Sequence, residues 1–268
     1  MNSGWLHDVF PSPKPVVGML HAPPLPGSPR YRGDMPAVRD AVLRDAEAMV
    51  ESGIHGLLLE NFGDAPFWPH RVPAEVVAHM TALAAEIRRR FPVPLGINVL
   101  RNDGRSALAV AHAAGAQFIR VNVLCGARLT DQGILDGIAA NLLRDRARLG
   151  AAVKILADVD VKHSAPLAAR PIEDEVEEML RRGGADGLVV SGPGTGRPAD
   201  PQQLRAVHAA AQGAPVLVGS GITAENVGDY LDWADGFLVG TSLKRDASVT
   251  APVDPARVKR LLERMARF

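Results

Sequence analysis

Residues 154–163, KILADVDVKH, change abruptly from apolar side chains to charged ones. Successive side chains of a β-strand point to opposite faces, so every second residue of this stretch would share one face. On a buried face, carboxylates and lysines can transfer protons, bind a cation or stabilise an anion. The charged side chains that this alternation brings together are Lys154, Asp158, Asp160 and Lys162. The alternative is that Asp160, Lys162 and His163 lie in a solvated loop beyond the strand.

The elements that must position these side chains are apolar strands alternating with amphipathic helices. Most of the strands are continuous apolar runs, which is typical of parallel strands covered on both faces. The predicted strands are residues 16–20, 56–60, 94–99, 118–123, the stretch 154–163, 187–190, 215–219 and 236–240. The predicted helices are residues 35–53, 73–90, 106–114, 134–149, 172–182, 201–211, 224–231 and 255–268.

This alternation predicts the fold class, a single (β/α)8 TIM barrel of the phosphate-binding type that spans residues 1–268. Residues 1–15 carry Pro11, Pro13 and Pro15, so they are predicted to form an irregular N-terminal lead-in. The alternative is an open, doubly wound sheet. That fold usually has a glycine-rich turn after its first strand, whereas the loop after residue 20 is rich in proline.

In such a barrel, catalytic groups lie at the carboxyl ends of the strands. Glu60 and Asp158 are therefore candidates for acid/base chemistry, or for binding a divalent cation such as Mg²⁺ or Mn²⁺. Each could instead be held in an ion pair with Lys154 or Arg120. The other catalytic candidates are His21, Lys162 and Asp160, and the candidates for substrate binding are Asn61, Asn98, Asn122, Lys154, His163, Ser191 and Gly192.

The last two strands end in GSGIT (residues 219–223) and GTSLK (residues 240–244). Glycines without a Cβ atom let backbone N–H groups approach an anion, and TIM barrels commonly bind a phosphate in this corner. The alternative is that these glycines only form tight turns. The predicted phosphate-binding residues are Gly219, Ser220, Gly221, Gly240, Thr241 and Ser242.

Composition narrows the range of partners. The 30 basic and 30 acidic residues balance, so the chain lacks the net charge expected of a nucleic-acid-binding protein. The single cysteine, Cys125, permits no intrachain disulfide and fits a reducing cytosol. Neither a secretory leader nor an apolar run long enough to span a membrane is recognisable. We therefore expect a cytoplasmic protein with a small-molecule partner.

Four segments resemble the BtpA/SgcQ family, namely residues 17–29, 60–67, 157–163 and 219–221. The first two, VGMLHAPPLPGSP and ENFGDAPF, are long and specific. The resemblance covers almost the whole chain and implies a phosphate-binding TIM barrel. It also implies two different roles, because the family is named for photosystem I biogenesis while other members resemble sugar-operon or nucleoside-directed enzymes.

Two hypotheses about function follow. In the first, the protein is an enzyme for a phosphorylated sugar or a nucleoside-phosphate-like substrate, and isomerisation, lysis and glycosidic hydrolysis all remain open. In the second, it is a non-catalytic assembly or stability factor that acts through its outer surface. Alanines on helix faces, such as Ala139 and Ala140, would also permit a homo-oligomer.

Overall fold

Eight parallel strands form a closed barrel in the computed structural model, which describes residues 4–268. Three further strands, β5, β6 and β8, form a small separate sheet. In chain order, all these strands are β1 Val16–His21, β2 Gly56–Glu60, β3 Leu95–Asn98, β4 Phe118–Val121, β5 Ala127–Thr130, β6 Gly133–Asp136, β7 Lys154–Val159, β8 Ser164–Pro166, β9 Gly187–Ser191, β10 Val216–Gly219 and β11 Gly236–Val239. Around the barrel their order is β1-β11-β10-β9-β7-β4-β3-β2, and β2 pairs with β1. The predicted TIM barrel is confirmed.

Helices follow the barrel strands and cover them from outside, except for the first helix, which precedes β1. Their bounds are α1 Gly4–Val9, α2 Met35–Glu51, α3 Ala74–Arg90, α4 Gly104–Ala114, α5 Ala139–Arg148, α6 Ile172–Glu177, α7 Pro201–Ala210 and α8 Pro255–Met265. Several begin at an aspartate whose side chain accepts a backbone N–H bond; Asp34, for example, accepts from the N–H of Ala37 at 2.9 Å. Such caps satisfy amides that have no partner inside the helix.

The barrel strands have two apolar faces. Their outward residues, such as Ile155, Ala157 and Val159 of β7, pack with the covering helices in one large core. Their inward residues form a separate core inside the barrel, to which β7 contributes Leu156 and β4 contributes Phe118. The alternation proposed for residues 154–159 is therefore correct, and it places Asp158 on the inward face above Leu156.

The amino-terminal end of the barrel is closed by α1, because Trp5, Leu6 and Phe10 belong to the inner core. The ring centroids of Phe10 and Phe118 are 5.9 Å apart. The prediction of an irregular lead-in is thus wrong for Gly4–Val9, and residues 1–3 lie outside the described residues. The prolines at 11, 13 and 15 follow the helix and leave it intact.

One predicted helix was too long. Residues 134–136 belong to β6, which pairs antiparallel with β5, and β5 also pairs with β8. Their backbone hydrogen bonds go to these neighbouring strands, so the helix begins only at Ala139. The segment predicted as a helix at 224–231 contains one 3₁₀ turn, Val227–Tyr230. None of the helices in the described part of the chain is long and apolar enough to cross a membrane.

Candidate functional site

A layer of polar side chains lies at the carboxyl ends of the barrel strands. Parallel pairing places His21 beside Glu60, and Glu60 beside Asn98. The Glu60 side chain is buried, and its Oε2 accepts a hydrogen bond from Asn98 Nδ2 at 2.6 Å. His21 Nε2 lies 3.9 Å from Glu60 Oε1. Strands β1 to β3 therefore hold an imidazole and an oriented carboxylate next to each other.

A buried ion pair fills the opposite side of this layer. Arg120 donates to both carboxylate oxygens of Asp158, with the shortest bond, from Nη2 to Oδ1, at 2.7 Å. Asn122 Nδ2 donates to Asp158 Oδ2 at 2.5 Å, and Arg120 Nη2 donates to Ser191 Oγ at 3.2 Å. With both oxygens engaged, Asp158 is poorly placed to accept a proton. These contacts favour the alternative in which Asp158 is an ion-pair partner of Arg120.

His21 is a neutral imidazole. Burial, together with the positive charges of Lys244 and Lys162, lowers the pKa of His21 from 6.5 to about 3. The ring lies against Phe62, with centroids 4.6 Å apart. Its Nδ1 is buried and has no hydrogen-bond partner among residues 4–268. His21 can therefore offer a ligand a hydrogen bond without carrying a charge.

Lys162 is the cation at the centre of the site. Burial lowers the pKa of its ammonium group, and the charge of Arg120 acts in the same direction. Among residues 4–268, no carboxylate lies within 4.0 Å of Lys162 Nζ. A lysine in these surroundings can stabilise a negative charge or take part in proton transfer.

A large cavity of about 1160 Å³ opens above β1 and β2. Its lining contains more cationic than acidic side chains, and Lys244 among them forms an ion pair with Asp45 at 3.0 Å. The predicted site residues that line this cavity are His21, Glu60, Asn122, Lys162 and His163. The electrostatic character of the cavity suits an anionic ligand.

A smaller cavity of about 300 Å³ lies above β10 and β11. Gly221 adopts a φ of +67°, and a Cβ atom there would lie 2.3 Å from the backbone nitrogen of Pro198. His21 and Lys162 line this cavity as well as the large one. The predicted phosphate-binding residues that line it are Ser220, Gly221, Gly240, Thr241 and Ser242.

Gly219 has a different position from its neighbours. It ends β10 inside the barrel, where a Cβ atom would lie 2.9 Å from Val189 and 3.6 Å from Arg120 Nη2. The missing side chain therefore makes room for Val189, whereas 3.6 Å from the Arg120 guanidinium would be an ordinary contact. Gly192 likewise packs against backbone, because a Cβ atom there would lie 2.1 Å from the carbonyl oxygen of Arg197.

Three other predicted site residues form ion pairs or hydrogen bonds away from Lys162. Lys154 begins β7 at the opposite end of the barrel, where its Nζ lies 3.4 Å from Asp186 Oδ1. Asp160 pairs with Arg128 and accepts from Gln203 Nε2 at 3.1 Å. Asn61 donates to Asp64 Oδ2 at 3.0 Å and accepts from the N–H of Leu100 at 2.7 Å. The structure does not bring these three side chains into the group around Lys162.

The structure adds residues that sequence reasoning missed. Arg101 is buried and lines the large cavity, and Thr195 lines both cavities. Arg120 could have been placed inside the barrel, since it alternates with Phe118 and Asn122 along one strand face. Arg101 follows β3 in an irregular segment, where no periodicity predicts the direction of a side chain.

A divalent cation does not fit Glu60 and Asp158. In the described chain, no group of three or more His, Cys, Asp or Glu side chains could hold a metal ion. The Asp158 carboxylate is already neutralised by Arg120, and Lys162 adds a second positive charge nearby. We therefore derive no step that uses a metal.

The fold and these cavities define a TIM barrel with an open, cation-rich mouth. The chain matches the model of the BtpA family over residues 12–267 and belongs to that family, as the sequence resemblance predicted. Photosystem I biogenesis protein BtpA of Synechocystis is 43% identical over 261 residues, which cover 97% of this chain and 91% of that protein. An uncharacterized protein of Thermococcus kodakarensis is 46% identical, with 93% and 94% covered.

Solved structures with the same fold are more distant in sequence. N-(5'-phosphoribosyl)anthranilate isomerase from Pyrococcus furiosus superimposes with a TM-score of 0.57 at 14% identity, covering 95% of this chain and 100% of that one. A protein named KGPDC from Streptococcus mutans has a TM-score of 0.57 at 10% identity, with 96% and 99% covered. At such identities the likeness shows the barrel fold alone.

Proposed function

We propose that this protein is an enzyme that moves protons on a small phosphorylated sugar or nucleoside-phosphate-like substrate, as an isomerase or a lyase. The observation that carries the proposal is that His21 and Lys162 line both cavities. A ligand with its phosphate in the small cavity would present its neighbouring atoms to these side chains. Glu60, which lines the large cavity beside His21, would lie within reach of the same atoms.

The phosphate is assigned to the small cavity because of its backbone. Ser220 and Gly221 both have positive φ angles, and close packing against Pro198 leaves no room for a side chain on Gly221. Thr241 begins a single 3₁₀ turn, whose first N–H groups have no partner within the turn. Backbone amides of this kind form concave anion sites in barrels after the last two strands.

The proposed chemistry follows from the charges. Glu60 would act as the base, with Asn98 fixing its orientation through the 2.6 Å hydrogen bond. Lys162 would stabilise the anion that forms when a carbon next to a carbonyl loses a proton. His21, neutral at physiological pH, would donate a hydrogen bond to the same oxygen without adding charge.

Glycosidic hydrolysis is a weaker candidate than proton transfer at carbon. The common glycosidase mechanisms use two carboxylates on either side of the scissile bond. Here the second predicted carboxylate, Asp158, accepts bonds from Arg120 and Asn122 through both oxygens. The site instead offers the carboxylate of Glu60 and the ammonium group of Lys162, neither of which is neutralised by an ion pair within residues 4–268. This combination is a better match to isomerisation or lysis.

The competing hypothesis is a non-catalytic role in assembling or stabilising a protein complex. It is motivated by the name of the Synechocystis relative, a photosystem I biogenesis protein. An assembly factor would act through its outer surface, so its function would not require the Glu60 carboxylate. The two hypotheses therefore differ in what they expect from a substitution of this one side chain.

The test combines ligand binding with proton exchange. Inorganic phosphate and a panel of aldose and ketose phosphates should raise the melting temperature of the wild-type protein, because a ligand that binds only the folded state stabilises it. In D₂O, NMR should detect deuterium entering at the carbon next to the carbonyl of a bound sugar phosphate. Glu60→Gln should retain binding and slow this exchange by about 10² or more.

Glu47→Gln is the matched control, since Glu47 is exposed on α2. It should behave as wild type in both assays. If no phosphate compound shifts the melting temperature, the phosphate site is wrong. If sugar phosphates bind but exchange is the same in wild type and Glu60→Gln, the catalytic role of Glu60 is wrong.

A further inference from the structure

Arg101 is a buried cation that forms no ion pair with a carboxylate of residues 4–268. Its side chain belongs to a residue that is only 4% exposed, yet none of the carboxylates of residues 4–268 lies within 4.0 Å of its guanidinium. Nη2 donates to the carbonyl oxygen of Lys162 at 2.6 Å, which is a neutral acceptor. Nε is buried and has no hydrogen-bond partner in the described chain.

The other two buried arginines of residues 4–268 each form an ion pair with at least one carboxylate. Arg120 pairs with Asp158 at 2.7 Å, and Arg128 pairs with Asp160 and with Glu175. Burying an unpaired charge is unfavourable, so natural proteins usually provide a partner. Burial lowers the pKa of Arg101, against the opposing effects of the more distant carboxylates of Asp158, Asp131 and Glu60. Packing of the barrel alone does not account for a cation in this state.

The position of Arg101 indicates where its partner would come from. Arg101 lines the large cavity, and its guanidinium is bonded to the backbone of Lys162, whose side chain lines both cavities. A ligand that reaches from the small cavity past Lys162 into the large one would bring its far end towards Arg101. An anionic group there would neutralise the buried guanidinium.

We infer that the substrate carries a second anionic group, a carboxylate, which pairs with Arg101 while the phosphate occupies the small cavity. A carboxylate fits better than a second phosphate, because its single negative charge balances the single positive charge of one guanidinium, which it can bind through both oxygens. The inference rests on the proposed phosphate site. It narrows the substrate class to phosphorylated sugar acids and related phosphorylated hydroxy acids or keto acids.

Matched pairs of probes test this on the full chain. Glycerol 3-phosphate is compared with 3-phosphoglycerate, and sorbitol 6-phosphate with 6-phosphogluconate. Within each pair the two compounds differ by a hydroxymethyl group against a carboxylate. Isothermal titration at constant ionic strength should show the acid binding at least about 10-fold tighter than the alcohol in one pair, since hydrogen bonds between charged groups are stronger than those between neutral groups.

Arg101→Met should reduce the affinity of that acid to the affinity of its alcohol and leave the alcohol unchanged. Arg101→Gln, which keeps side-chain N–H donors but removes the charge, gives the same readout if the methionine variant does not fold. Arg105→Met is the control, because Arg105 is partly exposed and pairs with Asp145. It should retain the preference for the acid.

Two results would overturn the inference while leaving the phosphate site standing. In one, inorganic phosphate and the alcohols bind, but neither acid binds more tightly. In the other, Arg101→Met weakens both members of a pair equally. A different result, in which inorganic phosphate and all four organic probes fail to bind wild-type protein, would remove the proposed function and this inference together.

Discussion

The ionisable side chains at the barrel mouth differ in whether the protein itself neutralises their charge. Asp158 and Arg120 neutralise each other, His21 avoids a charge altogether, and neither Lys162 nor Arg101 has a carboxylate of residues 4–268 within 4.0 Å. The first two arrangements satisfy the folded protein by itself. The last is costly for folding alone, and therefore points to a ligand as the missing partner.

The neutral state of His21 predicts a pH dependence of stability. The pKa of His21 is about 3 in the folded protein against 6.5 for an ordinary histidine. Below pH 6.5 the unfolded chain binds a proton that the folded chain does not, so the free energy of unfolding falls as the pH falls towards 3. The loss from this one group is at most about 1.4 kcal/mol per pH unit.

Urea unfolding of wild type and His21→Asn at about pH 7, 6 and 5 measures this contribution. The variant should show a shallower loss of stability on acidification. His55 and His163, whose pKa values are also lowered by burial, supply the slope that remains. His112→Asn, at an exposed position of α4, should leave the wild-type slope unchanged. Equal slopes for wild type and His21→Asn would contradict a neutral buried His21.

The sequence places polar side chains at the strand ends, but it does not show which of them pair with one another. Alternation along β4 and β7 places Arg120 and Asp158 on inward faces, but the sequence does not give the register that brings them to 2.7 Å. Asp158 was consequently predicted, together with Glu60, as a candidate for acid/base chemistry. Arg101 was missed because it lies beyond β3, in a segment without regular structure. Pairing across elements is a property of the folded chain.

At the scale of elements, the loops after β9 and β10 meet around Gly221. Its φ of +67° is unfavourable for other residues, and a Cβ atom would lie 2.3 Å from Pro198 N and 2.4 Å from the Arg197 carbonyl carbon. Gly126 has nearly the same φ, +68°, but nothing lies within 4 Å of its Cβ position. Comparing Gly221 with Gly126 therefore separates the effect of backbone conformation from the effect of close packing.

Gly221→Ala should lower the free energy of unfolding by more than Gly126→Ala does. Gly126→Ala is expected to cost about 1–2 kcal/mol, the usual penalty for a left-handed conformation. Gly221→Ala must in addition push the two loops apart, so it should also weaken the binding of inorganic phosphate. Urea unfolding and isothermal titration measure the two effects. Equal costs and unchanged phosphate affinity would show that Gly221 is only a turn residue.

The barrel strands were predictable because each is an apolar run long enough to cross the barrel. Predicted strands such as 56–60 and 236–240 agree with the observed Gly56–Glu60 and Gly236–Val239 to within a residue. The hairpin of β5 and β6 was not predictable in this way. Its strands have four residues each and mix exposed, half-buried and buried positions, so they carry little apolar pattern, and the pairing of β5 with β8 depends on a distant segment.

Across the whole molecule, the two ends of the barrel differ in the kind of side chain that fills them. The amino-terminal end is filled by Trp5, Leu6 and Phe10, whereas the carboxyl end holds the polar layer and the two cavities. Phe10 reaches the level of Gly56, where a Cβ atom would lie 2.6 Å from its ring. Glu60 lies four residues further along β2, about 13 Å away at 3.3 Å per residue.

This separation predicts that substitutions at the two ends act independently. Phe10→Ala should lower the free energy of unfolding by about 3–5 kcal/mol, as expected for a large buried side chain, and leave the affinity for inorganic phosphate unchanged. The effects of Phe10→Ala and Glu60→Gln on stability should add to within about 0.5 kcal/mol in the double variant. Urea unfolding of wild type, both single variants and the double variant gives the four free energies of unfolding that this double-mutant cycle needs.

A coupling energy clearly above that limit would contradict the division of the barrel, because it would mean that the inner core transmits changes from α1 to Glu60. The inner core argues against such transmission. Between the two ends, Leu58, Leu156 and Leu238 are buried and apolar, so they offer no second hydrogen-bonding arrangement to switch into. The closed end can therefore supply stability while the charges at the open end remain free to be matched by a ligand.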